Sequence, residues 1–114
     1  MPVLILMLAY IAVGCLFVGI AIPLVQGKIK PNPWYGFRVK KTLRDPETWY
    51  AVNAYSGRRM VVLGAAVVAA GILLSPHGLI PTVGIPLYMF TCHGILLGGL
   101  VWIVADTFRY LRKF

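Results

Sequence analysis

Acidic side chains are nearly missing from this chain: three Asp and Glu stand against eleven Lys and Arg in 114 residues, a net charge of +8. No carboxylate lies deep in any apolar stretch, which argues against a proton-coupled exporter built on a buried acid. A carboxylate–histidine or nucleophile arrangement of recognisable spacing is also missing, so no enzyme activity is expected. Cysteine is scarce. Cys15 and Cys92 cannot make a disulfide framework, and with His93 they lack ligand spacing, so no metal or other cofactor is expected. Charged residues make up 12% of the chain, about half the ~25% usual in soluble domains. Apolar residues reach 60% and the mean hydropathy is +0.83, which excludes disorder and argues against a soluble domain. At ~100–200 residues per domain, the chain is one unit.

Charge of either sign is absent from residues 1–27 and again from 60–105. All of it falls in residues 28–59, net +6, and 106–114, net +2. The first uncharged run exceeds the ~20 apolar residues that cross a bilayer. It has no basic start, and its apolar stretch is longer than the ~7–15 residues of a signal peptide, so it reads as a retained span. The second run holds 46 residues. As one helix at ~1.5 Å per residue it would reach roughly 69 Å, over twice the ~30 Å hydrocarbon thickness. It must turn back, and Ser75, Pro76, His77, Gly78 and Pro81 mark the turn.

The expected fold is therefore an all-α integral membrane protein with three transmembrane helices, at about 2–26, 58–75 and 82–107. Helices are required because unpaired backbone groups are too costly in lipid, and no barrel-like alternation is present. Every Lys and Arg lies in the long loop 28–57, at its junction with the second span, or at the C-terminus. The positive-inside rule then places those segments in the cytoplasm and the N-terminus outside.

The loop is longer than the ~12–15 residues of ordinary connections and holds six of the fourteen aromatic residues, including Trp34, Tyr35 and Phe37. Pro31-Asn32-Pro33 forces an extended or turned start. Asp45, Pro46 and Glu47 then suit an N-cap, a first helical position and a positive dipole end. A short cytoplasmic interfacial helix is expected from Pro46 to about Ser56. It would carry Trp49, Tyr50 and Asn53 on one side, with Gly57 changing direction before Arg58 and Arg59. Arg38, set among aromatics next to Gly36, suits either an architectural role or a grip on an anionic ligand.

Residues 31–59, PNPWYGFRVKKTLRDPETWYAVNAYSGRR, resemble the signature of the SdpI family of bacterial membrane proteins, at Asn32, Gly36, Phe37, Arg38, Thr42, Leu43, Trp49, Asn53 and Gly57. Val39 stands where the family commonly has threonine, and the chain resembles the family's domain alone, without further N-terminal spans. The resemblance implies an immunity or signalling protein in the bacterial cytoplasmic membrane, acting against a secreted hydrophobic peptide toxin. Those motif residues and Tyr50 would then meet a peptide or lipid-like ligand. An oligomeric small-molecule or lipid transporter is the alternative.

Within the spans, His93 lies near mid-helix beside Cys92, with Cys15 near the middle of the first span, and His93 is suited to a backbone hydrogen bond or a functional role. Asp106 lies one turn before Arg109, and a local ion pair is expected. Gly94 and Gly98 form a G-x-x-x-G pair for packing within the chain or in a homo-oligomer, and Ala65, Ala66, Ala69 and Ala70 pave the second span. A basic segment beside a membrane is better matched to anionic lipid headgroups than to nucleic acid.

Overall fold

A computed structural model describes residues 2–75 and 84–114. The chain forms α1 (Pro2–Val25), α2 (Lys40–Arg44), α3 (Pro46–Leu73) and α4 (Ile85–Leu111), and α1, α3 and α4 are each long and apolar enough to cross a membrane. The expected turn residues Pro76, His77, Gly78 and Pro81 lie outside the described residues.

α1 is uncharged throughout and stops two residues after Pro23, where Gly27 takes φ +70°. The Lys28 N–H donates to the Pro23 carbonyl and the Gly27 N–H to the Leu24 carbonyl. This Schellman pattern needs a residue in the left-handed region, which glycine adopts without a side-chain clash.

α3 begins where Asp45-Pro46 predicts, but it differs from the expected pair of elements. It runs 28 residues without interruption through Gly57, so there is no separate interfacial helix from Pro46 to Ser56. The only short helix among the described residues is α2, held by the Leu43 N–H on the Val39 carbonyl. Gly57 does not redirect the chain. Its missing side chain lets α1 come close: a Cβ there would lie 3.2 Å from the Ala21 carbonyl oxygen and 3.0 Å from Val25. A continuous helix keeps its backbone groups paired where water is scarce, which favours this solution over a break.

α3 is the central element, with α1 packed along it and α4 beside it. Glycine makes the α1–α3 approach possible, since a Cβ on Gly64 would stand 2.6 Å from the Gly14 carbonyl oxygen. Gly94 and Gly98 take no part in packing within the chain, because a Cβ at either would meet nothing within 4 Å. Helix rotation decides this: it is Gly99 that turns toward Leu63, leaving its two neighbours outward. Ala65, Ala66 and Ala69 also face outward, and Ala70 alone of the four is buried.

The core gathers Tyr10, Leu63, Val67, Ala70, Tyr88, Cys92 and Ile103. At this end of the bundle the Tyr10 and Tyr88 rings meet edge to face at 5.5 Å, and the Tyr88 hydroxyl donates to the Gly71 carbonyl at 2.6 Å. At the opposite end, residues 28–45 fold over the start of α3.

Candidate functional site

The loop 28–45 is held by a sequence of polar contacts that begins at Asn32. Its side-chain oxygen accepts the N–H groups of Trp34 and Tyr35, at 2.9 and 2.8 Å, and its amide donates to the Lys30 carbonyl. This is an Asx turn, the local hydrogen bonding for which asparagine is suited. Tyr35 then donates its hydroxyl to the Ile20 carbonyl of α1. Burial pushes the Tyr35 phenol above its ordinary pKa, so it stays a neutral donor.

Gly36 follows with φ +109°. A Cβ here would lie 2.6 Å from the side-chain oxygen of Asn53, so both the backbone and the space demand glycine. Asn53 is buried, and its oxygen accepts the Phe37 N–H at 2.5 Å while its amide donates to the Trp49 carbonyl at 2.9 Å. Trp49, fully buried, donates its indole N–H to the Ile29 carbonyl at 2.8 Å. Thr42 is buried at the start of α2, where its hydroxyl accepts the Val39 N–H and faces the Phe37 and Val39 carbonyls, each at 2.9 Å. That Val39 N–H is satisfied without any hydroxyl at position 39.

Two contacts tie this folded loop to the end of α4. The rings of Phe37 and Phe108 lie 5.1 Å apart, and the Lys41 ammonium donates to the Leu111 carbonyl at 3.0 Å. Between the loop, α1, α3 and α4 an apolar cleft of about 250 Å³ remains. Ile20 and Leu24 form one wall, Leu100 and Val104 the other, and Gly36 and Phe37 close the loop end. Gly57 and Met60 line it from α3, with Ser56 as the one polar side chain.

The sequence profile of the SdpI/YfhL protein family matches residues 28–106. The chain belongs to the SdpI/YfhL protein family. It is a multi-pass membrane protein of this bacterial immunity and signalling family. No curated protein and no solved structure matches the chain.

In this SdpI-family chain the motif residues divide into two sets. Asn32, Thr42, Trp49 and Asn53 are spent on loop architecture, while Gly36, Phe37 and Gly57 border the cleft. Arg38 also serves the loop architecture: it is exposed, and its guanidinium donates back to the Pro33 and Gly36 carbonyls, closing the turn that contains Trp34. Tyr50 points away from Trp49 and Asn53 and is exposed. The reason is angular, since adjacent helical residues differ by about 100°, which turns Tyr50 away from the side that Trp49 buries.

His93 is exposed on α4, and its Nδ1 lies 2.8 Å from both the Tyr10 hydroxyl and the Met89 carbonyl. The Tyr10 contact joins α1 to α4, and the His93 tautomer sets which partner donates. Cys92, beside it, is buried in the core, and Cys15 is exposed on α1. Among the described residues no three His, Cys, Asp or Glu side chains come together as a metal-binding group.

The largest departure from the sequence-based reading is at Asp106. The local pair with Arg109 is present, but the carboxylate also accepts the Arg59 Nε–H at 2.7 Å and the Tyr55 hydroxyl at 2.5 Å. Asp106 is buried and links α4 to α3. Tyr55 further stacks on Tyr110, with ring centroids 3.9 Å apart. A signal existed in the sequence: a lone acid ending an apolar helix needs a partner from another helix, and Tyr55 and Arg59 stand four apart on α3.

Proposed function

We propose that this protein is a non-enzymatic immunity or signalling protein of the bacterial cytoplasmic membrane that receives a secreted hydrophobic peptide toxin, or a lipid-like molecule, in the cleft beneath its motif loop. The observation that carries the reading is the cleft lining. Gly36 and Phe37, the motif residues that the loop architecture aims inward, close a space whose other walls are almost wholly apolar. Such a space favours a leucine-, isoleucine- or acyl-like group by removing apolar surface from water or from looser contact. The polar motif residues hold the loop in place and are internally satisfied, so they act on the ligand through the position of Gly36 and Phe37. The basic loop and C-terminus lie in the cytoplasm and the N-terminus outside, as the distribution of Lys and Arg supports. The folded loop can then present a ligand-dependent surface to a cytoplasmic partner.

The test is survival of toxin-sensitive bacteria expressing the protein at matched membrane levels, under challenge with a secreted hydrophobic peptide toxin. Val104→Trp fills the cleft from a half-exposed wall position, and Val101→Trp adds the same bulk at an outward position. We expect protection by wild type and Val101→Trp, and its loss in Val104→Trp. Equal protection by all three removes the cleft from the mechanism, and no protection by wild type removes the immunity role.

A further inference from the structure

A second cavity system lies on the other side of the α3–α4 contact and takes no part in the cleft. Three adjoining hollows share Trp102. One, of about 350 Å³, is bordered by Arg58, Arg59 and Val62. A second, of about 240 Å³, is bordered by Ala105, Asp106 and Arg109. The third starts at Arg59 and continues along Leu63, Ala66 and Gly99. The result is one open groove, cationic at its basic end and apolar along the span. Val62 and Trp102, at 69% and 57% exposure, leave its floor uncovered.

The charges at its mouth do not cancel. Asp106 holds two arginines, Arg59 through Oδ2 and Arg109 through Oδ1, and this triad carries a net charge of +1. Arg58 adds another positive charge and has no ion-pair partner among the described residues. Arg59 is fixed further by its guanidinium lying 3.7 Å above the Tyr55 ring. Asp106 and Tyr55 therefore hold Arg59 by its Nε edge and one face, while each arginine keeps N–H groups that the carboxylate does not use. A fixed cationic fork matches a phosphate, and an excess of positive charge at a membrane boundary favours an anion there.

We propose that this groove holds one anionic glycerophospholipid. Its phosphate lies on Arg58, Arg59 and Arg109, an acyl chain follows Val62, Ala66 and Trp102, and Asp106 is the positioning residue that sets the arginines. A bilayer lipid is the occupant because a single molecule of that class supplies both the anion and the chain that the groove accommodates. A zwitterionic headgroup would bring its own cation to a mouth already carrying excess positive charge.

Native mass spectrometry of the protein released from mixed-lipid nanodiscs tests this, with phosphatidylglycerol and phosphatidylcholine of matched chains. Wild type should retain phosphatidylglycerol about tenfold over phosphatidylcholine, and Arg58→Gln or Arg109→Gln should each lower that preference about fivefold. Lys40→Gln, which removes the same charge from an exposed site on α2, should change it less than about twofold. Asp106→Asn separates positioning from charge. It raises the net charge, so charge alone predicts tighter retention, whereas loss of the fixed fork predicts weaker retention. Helical content and thermal unfolding are measured alongside, and the exposed Arg58→Gln variant carries the test if Asp106→Asn does not fold. Equal retention of the two lipids, an equal loss in Lys40→Gln, or tighter retention in Asp106→Asn would overturn the proposal. Displacement of the lipid by millimolar inorganic phosphate would assign the mouth to a free anion instead.

Discussion

Gly36 and Asn53 illustrate how two motif residues can be required for each other. Gly36 has the backbone conformation, φ +109°, that side-chain-bearing residues rarely adopt, and its Cα faces the Asn53 side chain that receives the next N–H. Gly36→Ala therefore meets two penalties, backbone strain and a clash with the Asn53 oxygen, and should cost about 1–3 kcal/mol. Asn53→Ala leaves the Phe37 N–H without its partner, again about 1–3 kcal/mol. The two should not add. Truncating Asn53 removes the clash but not the strain, so Gly36→Ala should cost less in the Asn53→Ala background. Denaturant unfolding in detergent, followed by fluorescence of the chain's tryptophans, reads all four proteins of the cycle. Strict additivity would mean the two residues act separately. Asn32 and Arg38 belong to the same class of residue, satisfied by backbone within the loop, and their polarity by itself gives no direct evidence of a ligand.

Helix pairing rests on particular glycines, and their roles differ although the sequence presents them alike. Gly64→Ala should destabilise by about 1–3 kcal/mol, because its new Cβ meets the Gly14 carbonyl oxygen, a backbone atom that cannot rotate aside. Gly94→Ala enters open space and should be neutral or stabilising by up to about 1 kcal/mol, the usual gain over glycine inside a helix. Thermal unfolding of the two variants in the same detergent checks the contrast. A loss at Gly94 as large as at Gly64 would mean that a second copy of the chain covers the outward face. The same ambiguity explains what could be read from residues alone. Charge-free runs and Asp45-Pro46 announce three spans and the start of α3, since hydropathy and proline act locally. Gly57 followed by Arg58 and Arg59 reads locally as a break and a membrane boundary. Yet the glycine serves a contact with α1, and Arg59 is paired with Asp106, 47 residues along the chain. The lone acid ending α4 signals that a partner is needed, but nothing beside it names Tyr55 and Arg59, which lie 51 and 47 residues away. The loop's fold was legible in part: Asn32 and Gly36 signal turns, but nothing local indicates that Asn53 supports them from α3.

The molecule as a whole is a rod of 51 × 23 × 19 Å whose length exceeds the ~30 Å hydrocarbon core. About 20 Å of it must therefore lie in headgroups or water, and the charge distribution says which end projects. Residues 28–45, the first turns of α3 and the end of α4 form one cationic end, while the described residues at the other end of the rod carry no ionisable acid or base beyond cysteine, tyrosine and histidine. All five lysines, Lys28, Lys30, Lys40, Lys41 and Lys113, belong to the cationic end. The proposed orientation thus has a simple consequence that needs no altered residue. A membrane-impermeant amine reagent applied to intact spheroplasts should leave every lysine unmodified, whereas opened membranes should become labelled at Lys28, Lys30, Lys40 and Lys113. Lys41 should react more slowly than its neighbour Lys40, because its ammonium is engaged with the Leu111 carbonyl. Peptide mass mapping separates the positions. Lysine labelling in intact spheroplasts would reverse the orientation and place the motif loop, with its cleft, on the side from which a secreted toxin arrives. A ligand would then enter the cleft directly, and not after crossing the bilayer or sliding in laterally between α1 and α4.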